Sequence, residues 1–516
     1  MKRSNLLLLI GGIVTLIGGW MVILIAVHSV FQNRDRQPSE LARVLHHIET
    51  YFIDEVDSRR LADVAIRAMT DKLDQHSRML EPQQAQAWTE WQQGSSEAIG
   101  ISYYMVNDSV TVYRVATGSS ARNAGILPGD RIISINDTLV SGEQRNLSFV
   151  NQLLRGQIDD PVDMEVLRQG TPDPIHFHFV RERMSVPSVP AYFMITDDIG
   201  FIRLNTFIST TRDEFRTALH ELQEQGMEHL ILDLMGNSGG SEDAFMQVAS
   251  EFLDRGKTIG YRQERNSQTV RTARAGSGTF TGRVVVLVNN RTASASEQLA
   301  GALQDWDRAV IVGQPTVGKG TAQRSFRFSD GRGLNLTVSR ILTPSGRPIE
   351  AGVVPDTIQF FTLINARPVF SGGITLDYHM RNPYYVTPLF SSLNSRVVPT
   401  IARLATTNNA TVLFERYPDE EAFRENFSVP SAFLYTLRRT AEGLGIEWNE
   451  EAFQIIRPHI EHRLKSQIAQ NMFGRSAFYR VRNDGNAMFQ SGLRIISDPE
   501  WYESLLSGVE RETTIE

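Results

Sequence analysis

From Gly200 to Val312 the sequence alternates short apolar runs with segments of helical periodicity, and this alternation narrows the fold more than any other feature. The runs Gly200–Leu204, Leu230–Leu234, Val284–Val288 and Ala309–Val312 read as strands. Arg212–Glu224, Ser241–Phe252 and Ser296–Trp306 read as the helices between them. Such a pattern specifies a layered α/β domain, with its chemistry carried by loops at the strand ends. The flanking sequence has a different texture. Between Trp88 and Glu182, short strands at Ile101–Val115, Arg131–Asn136, Val162–Leu167 and Ile175–Val180, with a helix at Leu147–Leu154, form a small β-rich module. Leu41–Leu73 holds two helices, and helices recur after Phe370 at Ser431–Leu444 and Glu450–Met472.

At 516 residues the chain has room for several domains. Its net charge of −7 offers no general attraction to nucleic acid, so no nucleic-acid partner is expected. Cysteine is absent, which excludes thiol nucleophiles, disulfides and Cys-based zinc sites; hydroxyl, carboxylate, imidazole and amine chemistry remain. No metal or cofactor is implied. At the N-terminus, Lys2 and Arg3 precede an uncharged run from Leu6 to Val27. A run of this length spans roughly 30 Å of hydrocarbon as a helix. Residues 1–30 are therefore expected to form an uncleaved inner-membrane anchor, with the catalytic part periplasmic.

Three segments carry the chemistry. The first runs from strand Val284–Val288 into Thr292–Glu297, which places Ser294 at a strand-to-helix turn. There, free backbone N–H groups and the positive end of the helix dipole favour an oxyanion. Ser294 and Glu297 also make the Ser-x-x-Glu pattern of an ordinary helix capping box, which requires no catalysis. The second segment, Gly313–Thr321, resembles a phosphate-binding loop at first sight. Gly320 rather than Ser or Thr follows Lys319, and the alternating stretch Arg324–Phe328 reads as a strand where a helix is required. Lys319 is then either a solvated lysine or a base held in a glycine-walled niche. As a base it must be neutral, so burial must pull its pKa from about 10.4 toward 7 to 8. Gln323, four positions on, can hold the amine through its amide oxygen without adding a charge. The third segment, Leu234–Gly240, is a glycine-rich turn that either closes a tight connection or exposes N–H groups to an anion.

Together these segments resemble the C-terminal processing proteases, or tail-specific proteases, a family of Ser/Lys peptidases with an inserted PDZ domain. The resemblance covers about Leu41 to Asp356 and rests on Asp233–Gly240 (DLMGNSGG), Thr292–Glu297 (TASASE), Gly318–Gln323 (GKGTAQ) and Thr343–Arg347 (TPSGR), in family order and spacing. It implies a crotonase/Clp-protease-like α/β fold with Ser294 as nucleophile, Lys319 as general base and Gln323 as its supporting amide. The implied oxyanion donors are the N–H of Ala295 and that of Gly239 or Gly240. The implied division is an anchor (1–30), a helical N-terminal segment (37–87), a PDZ domain (88–182), a peptidase domain (183–366) and a mainly helical extension (367–516).

In the PDZ domain, Ile99, Gly100 and Ile101 match the loop that binds a terminal carboxylate. That agrees with a substrate whose C-terminal tail adds as a strand. Asp305 matches an acidic position grouped with this site, but eleven residues of helix place it roughly 16 Å from Ser294. A structural carboxylate near Arg308 is the better reading. Met235 stands where the family commonly has Arg. The expected activity is serine endopeptidase cleavage of extracytoplasmic proteins near their C-termini. The rival is a PDZ scaffold that binds protein tails without cutting them. Helices at both ends supply surfaces for a homo-oligomer, with no stoichiometry specified.

Overall fold

The structure, a computed structural model, describes residues 40–509 except 93–94, 107–108, 117, 141–146, 169, 186, 273–277, 279, 356 and 382–385. Two compact units divide the chain. In the smaller, helices Glu40–Tyr51 and Ser58–Thr70 precede strand Arg78–Leu80, which pairs antiparallel with Gly333–Asn335. Asp57 caps the second helix, its side chain accepting the Arg60 N–H at 3.0 Å.

The larger unit is built around a six-stranded sheet. Its strands, in spatial order, are Ala191–Met194 (β1), Ile199–Arg203 (β2), His229–Asp233 (β3), Val284–Val288 (β4), Val310–Gly313 (β5) and Tyr378–His379 (β6). The β1–β2 pair is antiparallel and the other pairs are parallel. Every residue of β2 and β4 is buried, as parallel strands covered on both faces require. On one face Ile202, Leu230, Leu232, Val284, Val286 and Ile311 meet helices Thr211–Glu224 (α1), Glu242–Ala249 (α2) and Ala295–Asp305 (α3). These are the helices of the alternating pattern.

The opposite face is covered from the far end of the chain. After helix Glu450–Phe473 (α4) come Arg475–Asp484 (α5), Ala487–Ser497 (α6) and Pro499–Ser507 (α7). Their Tyr479, Phe489, Ile495, Ile496 and Tyr502 pack on Phe201, Ile231, Val285, Leu287 and Val312. Gly492 lies so close to the sheet that a Cβ there would fall 2.9 Å from Leu287 and 3.2 Å from Val285. The Tyr502 hydroxyl accepts the Val284 N–H and donates to the Val284 carbonyl, both at 3.2 Å. The preceding helices enclose a separate core that includes Phe390, Leu393, Phe423, Leu437, Ile456 and Ile460.

The β-rich module follows the sequence reading, with antiparallel strands Ile101–Val106, Ser109–Val115, Arg131–Ile135, Pro161–Leu167 and Ile175–Val180 and helix Leu147–Leu154. Val110, Val112, Ile135, Val150, Val162 and Val166 form its core.

One expectation is overturned. No helix among the described residues is long and apolar enough to cross a membrane; even the 24-residue α4 carries charges along its length. The inner-membrane, periplasmic placement is therefore withdrawn. The run Leu6–Val27 on which it rested lies outside the described residues.

Candidate active site

Strand β4 delivers the chain into a turn whose last residue, Ser294, has φ 58° and ψ −117°. A positive φ is uncommon for a residue with a Cβ and stores about 1–3 kcal/mol of strain, which the surrounding structure must hold in place. The same sharp strand-to-helix geometry sets a serine hydroxyl at the top of a sheet in other hydrolases. Local ties fix the turn: Thr292 donates its hydroxyl to Leu234 O (2.9 Å), Ala293 N–H to Asn237 O (3.0 Å) and Ser296 its hydroxyl to Asn237 O (3.0 Å). Ser294 itself is half-buried at the N-terminus of α3.

Glu297 does more than a capping residue does. It is fully buried, and its Oε2 accepts the Ser294 N–H at 2.8 Å and the Lys319 N–H at 2.9 Å. Its Oε1 accepts the Thr316 hydroxyl and the Gly318 N–H, both at 2.6 Å. One carboxylate thus fastens the serine turn to the lysine loop. Burial pushes its pKa above the ordinary glutamate value, while the hydrogen bonds from Thr316, Gly318, Ser294 and Lys319 pull the other way. A further link runs from Val317 N–H to Thr292 O (3.0 Å), and Thr316 Oγ1 also accepts the Ile374 N–H (2.9 Å). The sequence signalled Glu297 only as a cap. Its partners nineteen to twenty-two positions away leave no local pattern.

Lys319 is half-buried beside the buried Gly320, whose carbonyl accepts the Ile341 N–H at 2.8 Å. The amide nitrogen of Gln323 donates to Thr321 Oγ1 and Thr337 Oγ1, each at 3.1 Å, which fixes the orientation of its amide.

The glycine-rich turn stands directly against Ser294. Gly239 has φ 97°, and a Cβ there would lie 2.8 Å from both Ala295 N and Ser294 Cβ. Gly240 has φ 143° and would place a Cβ 2.0 Å from Phe207 O. Only glycine satisfies both constraints. The Gly239 N–H is committed to Asn237 Oδ1 at 2.9 Å, whereas the N–H groups of Gly240 and Ala295 carry no hydrogen bond among the described residues. Of the two glycines, Gly240 is the one left with a donor.

The base of this turn is clamped by a buried pair. Arg203 Nη1 meets Asp233 Oδ1 at 2.7 Å, Arg203 Nη2 donates to Met235 O at 2.5 Å, and Asp233 Oδ1 accepts the Met235 N–H at 2.9 Å. Tyr479 of α5 stacks over this guanidinium, 5.6 Å from the ring centroid, and Met235 is buried with Tyr479 and Phe489. A charge at position 235 would point into that apolar contact, which accounts for methionine here.

Asp305 departs from expectation in its partner. It is fully buried against Arg347 at 3.1 Å and accepts the Ser345 N–H at 2.9 Å, while Arg308 donates to Phe280 O instead. Asp305 therefore anchors the loop Thr343–Arg347. In the β-rich module Gly100 has φ 80° with no room for a Cβ beside Ser119, Ile99 lies in the core and Ile101 packs against it. Strand Ile101–Val106 forms a sheet edge. Arg155 is exposed.

Comparison with known proteins fits this arrangement. Residues 198–359 match peptidase family S41, residues 97–176 match the PDZ domain, and residues 390–474 match a family of unknown function. The fold and site define a mixed α/β serine peptidase carrying a PDZ domain, with helical segments at both ends. The carboxy-terminal-processing protease of Bartonella bacilliformis is 30% identical over 63% of this chain and 76% of that protein. The carboxyl-terminal-processing protease of Synechocystis is 33% identical over 63% of this chain and 77% of that protein. A solved photosystem II D1 C-terminal processing protease shares 30% identity, covering 66% of this chain and 86% of that one, with a TM-score of 0.39. The chain belongs to the carboxy-terminal processing proteases, within peptidase family S41.

Proposed function

We propose that this serine protease is an endopeptidase that cuts proteins at or near their C-terminal tails by a Ser/Lys mechanism. Ser294 attacks the scissile carbonyl, and neutral Lys319 takes its proton and passes it to the leaving amine. Water then releases the acyl-enzyme. The Ala295 and Gly240 N–H groups hold the developing oxyanion, and Gln323 orients the lysine amine. The PDZ domain, taken as residues 88–182, receives the tail, with Ile99, Gly100 and Ile101 around its terminal carboxylate. Residues 183–366 form the peptidase domain, preceded by a helical segment (37–87) and followed by the extension 367–516.

The observation that carries this reading is the shared acceptor: Ser294 and Lys319 donate their backbone N–H groups to the same oxygen of buried Glu297. That tie holds the proposed nucleophile and base in one frame. The test is cleavage of an unfolded protein with an apolar C-terminal tail by the full chain, comparing wild type with Ser294→Ala and Lys319→Ala. Both variants are expected to lose turnover by several orders of magnitude. Cleavage retained by Ser294→Ala would overturn the assignment.

A further inference from the structure

A pocket of about 250 Å³, counted to its mouth, is enclosed by α2, α3, a hairpin of strands Thr258–Glu264 and Gln268–Thr272, and the end of strand Gly333–Leu342. Phe245, Ile259, Ile341, Leu342 and Ile349 make most of its wall apolar. The first hairpin strand slips register between Thr258 and Gly260. A Cβ on Gly260 would fall 2.6 Å from Leu342 O, so glycine lets the hairpin close against its neighbour.

The pocket adjoins all three segments of the candidate site. Glu242 follows Gly240 by two residues. Gln298 lies one turn beyond Ser294, its N–H donating to Ser294 O at 2.9 Å. Ile341 donates its N–H to Gly320 O at 2.8 Å, and a Cβ on Gly320, the residue after Lys319, would lie 3.2 Å from Ile349 Cβ. A side chain attached to a carbonyl held at Ser294 therefore has this pocket within reach.

Two charged groups line it, Glu242 and Arg271, and they pair with each other. Glu242 Oε1 meets Arg271 Nη2 at 2.8 Å, and its Oε2 meets Arg262 Nη1 at 2.9 Å. Arg262 Nε in turn stands 3.4 Å from Glu264 Oε1. Two carboxylates and two guanidiniums cancel, and the same contacts latch the hairpin to the first turn of α2. A charged side chain entering here meets no unmatched counter-ion, and an unpaired charge taken out of water is strongly disfavoured. Arg271 Nε is buried without a hydrogen-bond partner, so the guanidinium keeps a donor for a carboxylate once Glu242 no longer neutralises it.

We propose that Glu242 determines which residue is cut. The pocket takes the side chain that precedes the scissile bond. Glu242, by neutralising Arg271 and latching the hairpin, restricts that side chain to uncharged, chiefly aliphatic ones. This rests on the peptidase reading, because it requires a carbonyl held at Ser294. Glu242 touches no reacting atom and acts on selection rather than on the chemical step.

The test uses the full chain and a set of unfolded proteins that share one apolar C-terminal tail. The wild-type cut is mapped by mass spectrometry, and the residue before it is varied among valine, phenylalanine, aspartate and lysine. Wild type is expected to favour valine over aspartate and lysine by at least about a hundredfold in kcat/KM. Glu242→Gln keeps the side-chain shape but leaves Arg271 unneutralised. Its aspartate-to-valine ratio is expected to rise at least about tenfold, with lysine no better accepted than before. Leu342→Ala, at a half-buried position, enlarges the pocket and is expected to raise the phenylalanine-to-valine ratio. A purely structural defect would lower all four substrates together; circular dichroism verifies folding. Ser294→Ala separates the two readings. Cleavage that it retains, or no cleavage by wild type, would overturn the peptidase reading and this proposal with it. Ser294-dependent cleavage with the same aspartate-to-valine ratio in wild type and Glu242→Gln would overturn the proposal alone. Where Glu242→Gln fails to fold, an unchanged phenylalanine-to-valine ratio in Leu342→Ala would do so.

Discussion

Replacing Glu297 tests whether one carboxylate organises the site. In Glu297→Ala four donors lose their acceptor: the N–H groups of Ser294, Gly318 and Lys319 and the Thr316 hydroxyl. A buried donor left unpaired costs about 1–3 kcal/mol, with less for half-buried Gly318 and Lys319, where water can substitute. A loss of roughly 4 kcal/mol follows, which at about 2–4 °C per kcal/mol lowers the unfolding midpoint by about 8–16 °C. Turnover falls further than stability. Without the shared oxygen the serine turn and lysine loop separate, and a misplacement of about 1 Å costs about a hundredfold in rate. Glu297→Gln should be milder. With its amide oxygen toward Ser294 and Lys319 those two donors keep their acceptor, while the Gly318 N–H and the Thr316 hydroxyl proton lose theirs to an NH₂ that can only donate, a loss of about 2 kcal/mol. Thermal unfolding by circular dichroism, with kcat and KM on a tail-bearing unfolded protein, measures both quantities. If Glu297→Ala unfolds at the wild-type midpoint and turns over at the wild-type rate, the clasp is not what holds the site together.

The same carboxylate gives a pH dependence of definite sign. Its folded-state pKa is raised from the ordinary 4.5, so its protonation favours the folded state as pH falls through the raised value toward the ordinary one. Thermal unfolding across the mildly acidic to neutral range should show wild type gaining on Glu297→Gln as pH drops, and the opposite trend would refute the assignment. Tyr479→Ala removes the ring over Arg203 and should lower kcat roughly tenfold with little change in KM, while Tyr479→Phe keeps the stack and most of the rate. Unchanged kcat in the folded Ala variant would show that the turn needs no brace from α5. In the PDZ domain the Tyr103 hydroxyl donates to Asn151 Oδ1 at 2.5 Å, joining edge strand Ile101–Val106 to helix Leu147–Leu154, and burial pushes the phenol pKa up to about 12. Where a tail must break that bridge to enter, Tyr103→Phe binds an apolar-tailed peptide about two- to tenfold more tightly by fluorescence polarisation. Weaker or unchanged binding would place the tail elsewhere.

The parts of this fold that could be read in advance are those whose causes are local. Strands β2 to β5 and helices α1 to α3 announce themselves through apolar runs and helical spacing, and Ser294 through its place at the end of β4. What escaped was set by distant partners. Ser294 and Glu297 look like a cap because a cap needs only these two residues, whereas the clasp needs Thr316, Gly318 and Lys319 as well. Asp305 finds Arg347 rather than nearby Arg308 because the loop Thr343–Arg347 returns to the end of α3.

The second face of the sheet is the more instructive case. Strand β4 is apolar at every position, so Val285 and Leu287 need cover as much as Val284, Val286 and Val288 do. The three helices of the alternating segment all pack on one side. A fully apolar parallel strand with helices on one side only demands a second layer from elsewhere in the chain. The cover comes some 200 residues later, where Gly492 and Tyr502 are fitted to Val285, Leu287 and Val284. The last three helices of the extension are thus a structural layer of the catalytic domain. Truncation before Arg475 would expose Phe201, Ile231, Val285 and Leu287, and release the Tyr479 brace on the turn beside Ser294.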